Sequence, residues 1–151
     1  MSTFVETASV DETREFGRRL AQVVEPGDVI ALEGDLGTGK TELVKGLAEG
    51  LGVMAAVHSP TFVLHHRYQG RLPIEHYDLY RLEGLAWVDT GLDEPVPDAV
   101  TIIEWPERAA VLDTWATTLI RLSSQGEHHR RFTLVRGPER LRAIFDHARR
   151  D

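Results

Sequence analysis

Gly34-Asp35-Leu36-Gly37-Thr38-Gly39-Lys40-Thr41 fits Gly-x-x-x-x-Gly-Lys-[Ser/Thr], the phosphate-binding loop. The chemistry asks for these residue types. Gly37 and Gly39 let the backbone turn without Cβ clashes, so that successive N–H groups can point at phosphate oxygens. Lys40 reaches the β/γ-phosphates as a point charge, and the Thr41 hydroxyl can take a coordination position on Mg²⁺. The motif needs a strand before it and a helix after it. Asp28-Val-Ile-Ala-Leu-Glu33 is a short apolar run that predicts a buried strand. Beyond it, Leu43, Val44, Leu47 and Leu51 share one face of a predicted helix, with Gly52 as its stop and Gly46 and Gly50 as weak points. The loop then lies at a helix N-terminus, where unpaired N–H groups and the helix dipole favour an anion. These residues predict a site for a nucleoside triphosphate.

At 151 residues the chain is one domain by length, 1–151, large enough to bury a core. No apolar run reaches membrane-spanning length, and Met1-Ser-Thr-Phe-Val-Glu6 lacks the basic start and apolar core of a signal peptide. The expected compartment is the cytoplasm, without membrane attachment. Cysteine is absent, which removes disulfides and thiolate metal sites. Net charge is -7 and uneven: from Arg121 to Asp151 eight Arg face four acids, a local +4, leaving -11 on the rest. An acidic body does not suit an independent grip on nucleic acid. Any nucleic-acid role is therefore expected to run through another protein.

Thr3 to Thr7 alternates like a short strand. Ser9 and Glu12 fit a capping box that opens a helix with Phe16, Leu20 and Val23/Val24 inward, ended by Pro26-Gly27. Val63 to Tyr68 and Arg71 to Tyr80 form a predicted hairpin around Gln69-Gly70. Leu85 to Val88 and Arg108 to Leu112 suggest short helical turns, and Ala99 to Ile103 is a second apolar strand. Thr117 to Leu122 and Arg131 to Val135 flank Gln125-Gly126 as a second hairpin, and Pro138 opens a last helix with Leu141, Ile144, Phe145 and Ala148 inward. The expected fold is α/β: a three-layer arrangement of the phosphate-loop nucleotide-hydrolase type, whose mixed sheet has a parallel core and antiparallel hairpins.

A phosphate loop needs an acidic partner for Mg²⁺, and two are on offer. Glu104 ends an apolar strand, where ligands gather in open α/β sheets. Asp78 lies in His76-Tyr-Asp-Leu-Tyr-Arg81, where a strand puts His76, Asp78 and Tyr80 on one face. The first assignment puts Glu104 on Mg²⁺ with Thr41, and lets Asp78 orient the attacking water or the metal's water shell. The reverse satisfies the same chemistry. Thr61 suits a γ-phosphate sensor and equally a turn hydroxyl capping local backbone. Trp105 suits a partner surface or the core. His65-His66 and His128-His129 are not expected to bind metal, because adjacent strand residues point to opposite faces. The chain has no Asn, so it lacks the Asn-Lys-x-Asp signature for guanine, which favours ATP.

Gly34 to Thr41, Ser59-Pro-Thr-Phe62, His76-Tyr-Asp-Leu-Tyr-Arg-Leu82 and Ile103-Glu-Trp-Pro106 stand in the order and spacing of one family. Between Ser9 and Pro106 the chain resembles the TsaE (YjeE) ATPases of bacterial tRNA threonylcarbamoyladenosine biosynthesis. The resemblance implies a small Mg²⁺-dependent ATPase, slow alone, that works with TsaD and TsaB to permit repeated turnover and meets tRNA only through those partners. It implies that Leu36, Gly37, Thr38, Gly39, Lys40 and Thr41 embrace the phosphates. Thr41 and Glu104 then hold Mg²⁺, Asp78 is the acid needed for hydrolysis, Trp105 flanks the site and Val10 lies near the adenine. Glu42 departs from the family, which usually has a second Thr there; its charge is expected to weaken affinity. Two other readings use the same loop. A small-molecule kinase would add a cluster of Arg or Lys for its acceptor, whereas Lys40 and Lys45 are the only lysines here. A non-hydrolysing adaptor would use nucleotide only to change its affinity for partners.

Overall fold

The computed structural model describes residues 3–34, 39–54, 57, 65–79, 95–105 and 115–149. Val29–Glu33 (β2) has no polar interruption before its last residue, and such a run is stable only with both faces covered. It lies at the centre of a seven-stranded sheet. The others are β1 (Thr3–Thr7), β3 (His65–Tyr68), β4 (Ile74–Asp78), β5 (Val100–Glu104), β6 (Thr118–Ser124) and β7 (Arg130–Arg136), in the order β1-β7-β6-β2-β5-β4-β3. β2 runs parallel to β5 and β6, and β4 parallel to β5. The outer pairs β3/β4, β6/β7 and β1/β7 are antiparallel. The sheet is therefore mixed, with a parallel centre and antiparallel flanks, as the hydrophobic pattern predicts.

Three helices are described: α1 (Val10–Ala21), α2 (Lys40–Gly50) and α3 (Glu139–Arg149). All three share one core with alternate strand residues: Phe16, Leu20, Leu43, Leu47, Leu141 and Phe145 pack with Ile30, Leu32, Ile74, Ile102, Ile120 and Phe132. Phe16 is its junction, with ring centroids 5.5 Å from Phe132 and 5.1 Å from Phe145, the latter edge to face. Each fully buried side chain of this kind contributes about 2 kcal/mol. On the opposite sheet face Val29, Tyr77, Leu79 and Ile103 form a smaller cluster with Trp105, Trp115 and Ala116 against it.

Local expectations hold with two adjustments. Ser9 Oγ caps α1 by accepting from the Glu12 N–H at 3.1 Å, but the Glu12 carboxylate reaches one residue further back, to the Ala8 N–H at 2.9 Å. α1 stops at Ala21, well before Pro26, because the Gln22 N–H closes the last turn on Arg19 and Leu20 carbonyls; Val24 is buried beyond the helix, not on it. Gly46, read as a weak point of α2, is where α1 crosses. A Cβ added there would sit 2.1 Å from the Arg14 carbonyl oxygen, so only glycine admits this approach. Leu85 to Val88, Arg108 to Leu112, Tyr80 and the side chain of Ala148 lie outside the described residues.

Candidate nucleotide-binding site

The three strands β4, β5 and β2 are neighbours and parallel, so their C-terminal ends open on one side of the sheet. Asp78, Glu104 and Glu33 are their last residues. Asp78 and Glu104 are register partners, and the Leu79 N–H donates to the Glu104 carbonyl at 3.0 Å. Glu104 pairs across to Leu32, and the Trp105 N–H donates to the Leu32 carbonyl at 3.3 Å. The chain leaving β2 passes Gly34 and enters α2 at Lys40, with Gly39 as N-cap in the left-handed region (φ 96°) that glycine adopts at little cost.

Lys40 is buried. Its Nζ donates to the Gly34 carbonyl and sits over the Trp105 ring, 3.9 Å from the centroid. An ammonium against an indole face is an attractive contact of about 1–2 kcal/mol when desolvated. Trp105 reaches this position with a left-handed backbone (φ 62°), unusual for a bulky residue and the kind of strain that collects at functional sites. Trp105 also borders the smaller core cluster.

Glu104 is also buried, and its Oε2 lies 2.5 Å from Nε2 of the fully buried His76, two residues before Asp78 on the same strand face. Among the described residues no group of three or more His, Asp or Glu could hold a metal by itself. A buried carboxylate with one oxygen bonded to His76, next in sequence to the Trp105 that seats the buried Lys40 ammonium, is a donor set that fits a phosphate-bound cation.

Residues 7–132 match the family model described as Threonylcarbamoyl adenosine biosynthesis protein TsaE. The chain belongs to the TsaE family. A Streptomyces coelicolor protein named tRNA threonylcarbamoyladenosine biosynthesis protein TsaE is 48% identical over 99 residues, 62% of this chain and 67% of that protein. A Bacillus subtilis protein of the same name is 46% identical over 101 residues, 66% of this chain and 63% of that protein, so the match spans just under two thirds of that relative. The Treponema pallidum protein of that name is 40% identical over 129 residues, 84% of this chain and 96% of its own. Among solved structures, Bacillus subtilis YdiB superposes with a TM-score of 0.73 at 29% identity, covering 99% of this chain and 97% of that one.

Within this TsaE chain the fold brings together Gly39, Lys40, Trp105, Glu104 and Asp78 around the ends of β2, β5 and β4. Thr41 follows in the first turn of α2, half-buried. Val10 starts α1 and is 49% exposed. Leu36, Gly37 and Thr38, Ser59 to Phe62 with Thr61, and Pro106 lie outside the described residues. In the first histidine doublet, His65 bonds Glu75 and stacks on Tyr77, and His66 Nδ1 meets the Tyr68 hydroxyl at 3.2 Å.

Three contacts escape local sequence reasoning. His76 reads only as one residue of a strand face until the β4/β5 register sets it against Glu104. Arg130 packs its stem on the loop: a Cβ at Gly39 would lie 3.6 Å from Arg130 Cγ, while NH1 faces oxygens of Ser124, Gly126, Glu127 and His129 at 2.9–3.4 Å. Arg14 donates from Nε to Glu42 Oε2 at 2.7 Å, and Lys45 Nζ is 3.6 Å from Glu42 Oε1. The Glu42 charge is thus met from both sides, and its hydrogen bond raises the Arg14 guanidinium above its ordinary value.

Proposed function

We propose that this chain is a Mg²⁺-dependent ATPase of the cytoplasm that serves tRNA threonylcarbamoyladenosine biosynthesis with TsaD and TsaB, and that it reaches tRNA only through them. Its relatives carry that biosynthetic name. The observation that supports the chemistry most is the meeting of Lys40 with Trp105 beside Glu104, whose register partner is Asp78.

Each residue has a part. By the family resemblance Leu36, Gly37, Thr38 and Gly39 would embrace the phosphates, and Lys40 would exchange the Gly34 carbonyl for a phosphate oxygen. Thr41 and Glu104 would hold Mg²⁺, which when bound would neutralise charge developing on the phosphates. Asp78 accepts a hydrogen bond from the attacking water and orients it. Trp105 covers the ammonium and excludes water from it, and Val10 offers an exposed apolar side chain to the adenine.

The test is ATP turnover in a reconstituted mixture with TsaD and TsaB. Asp78→Ala and Glu104→Ala should each lower it at least about a hundredfold, the scale on which such groups act in phosphoryl transfer. If both variants turn over ATP as the wild type does, the reading is wrong.

A further inference from the structure

His76 is 0% exposed, and among the described residues its side chain hydrogen-bonds Glu104 alone. Tyr68 stands beside the ring, centroids 6.3 Å apart, and the register sets His76 opposite Ile102 and Asp78 opposite Glu104. Nδ1 is buried and has no hydrogen-bond partner among the described residues. An N–H there would be an orphan donor costing about 1–3 kcal/mol, and buried orphan donors are rarer than orphan acceptors. The ring therefore carries its proton on Nε2 and donates to Oε2. The second Glu104 oxygen takes no hydrogen bond among the described residues.

We propose that His76 is the positioning residue for Glu104, occupying one carboxylate oxygen so that the other is presented to the Mg²⁺ of a bound nucleotide. This rests on the assignment of Glu104 as a metal ligand made above. A ligand fixed by a buried partner loses less freedom on coordination, which is why partners of metal ligands are worth about 10–100-fold in affinity. A purely structural cross-strand pair would support β4/β5 and do nothing specific to the metal.

Calorimetric titration of the full chain with ADP, with and without Mg²⁺, separates these roles. Glu104→Gln should weaken Mg²⁺ binding to the nucleotide-loaded protein. His76→Leu should weaken it about 10–100-fold while metal-free ADP affinity stays within about twofold, and His76→Gln, which keeps an N–H donor, should regain part of the loss. Equal loss of ADP affinity with and without metal, no regain in His76→Gln, or full Mg²⁺ affinity in His76→Leu beside a defective Glu104→Gln overturns the inference and leaves the metal assignment standing. Full Mg²⁺ affinity in Glu104→Gln overturns both. If His76→Leu does not fold, the wild type supplies the measurement. The His76 ring ¹⁵N resonances should shift when Mg²⁺ is added to the ADP-loaded protein and not with ADP alone. Resonances that ignore Mg²⁺, or that move fully with ADP alone, overturn the inference.

Discussion

Lys40 Nζ rests on the Trp105 indole, 3.9 Å from its centroid, while donating to the Gly34 carbonyl. The ammonium is thus held at the ends of β2 and β5. On the proposed function a bound phosphate would draw Lys40 from the Gly34 carbonyl, and the change would be readable in the indole. With Trp87 and Trp115 changed to Phe, saturating ATP analogue should alter Trp105 emission. Lys40→Met should bind nucleotide at least about tenfold more weakly, the loss expected for one charge-assisted hydrogen bond. Emission that ignores saturating nucleotide would sink the exchange.

Glu42 occupies the first turn of α2 and is paired with Arg14 and Lys45. Partly exposed pairs of this kind contribute about 0.2–1 kcal/mol. Arg14→Ala should therefore lower nucleotide affinity only about two- to fivefold, by freeing negative charge near the phosphates, and adding Glu42→Thr should restore it. The effect should shrink as salt rises. Non-additivity in the double mutant is the deciding measurement.

Gly46 lets α1 and α2 touch backbone to backbone. Gly46→Ala should destabilise the fold by roughly 2–3 kcal/mol in urea unfolding, despite alanine's better helix propensity, because the added methyl meets a carbonyl and not a flexible side-chain end. An unchanged midpoint would contradict the close crossing.

Tyr77 is buried, and desolvation, with a smaller push from Glu75, raises its phenol to about 12. The unfolded phenol titrates near 10. Below pH 10 both states are protonated and nothing changes. Between 10 and 12 the unfolded chain loses a proton that the folded one keeps, so stability falls as pH rises, by roughly 2–3 kcal/mol across the window. Tyr77→Phe should flatten that part of the stability profile; a profile as steep as the wild type's would refute the assignment.

Much of this was legible in the residues. The apolar runs before Glu33 and Glu104, the loop glycines and the alternation of the flanking strands are local signals, and each predicted element that falls in the described residues is present. The mixed sheet followed from them. What stayed hidden depends on long-range register or on two elements meeting. Nothing near His76 announces Glu104, 28 positions on; nothing near Arg14 announces Glu42 across the helix crossing. Gly46 illustrates the limit most clearly, since propensity marks it as a defect and packing requires it.

The pairing of Asp78 with Glu104 also constrains how such chains can vary in length. Side chains alternate along a strand, so deleting one residue inside β4 would carry Tyr77 to the face of His76 and Asp78 and send the acid to the other side. The ends of β2, β4 and β5 behave as a ruler graduated in whole residues. Insertions and deletions among descendants of this sequence belong in the stretches between strands, where an added residue lengthens a path without turning a carboxylate away.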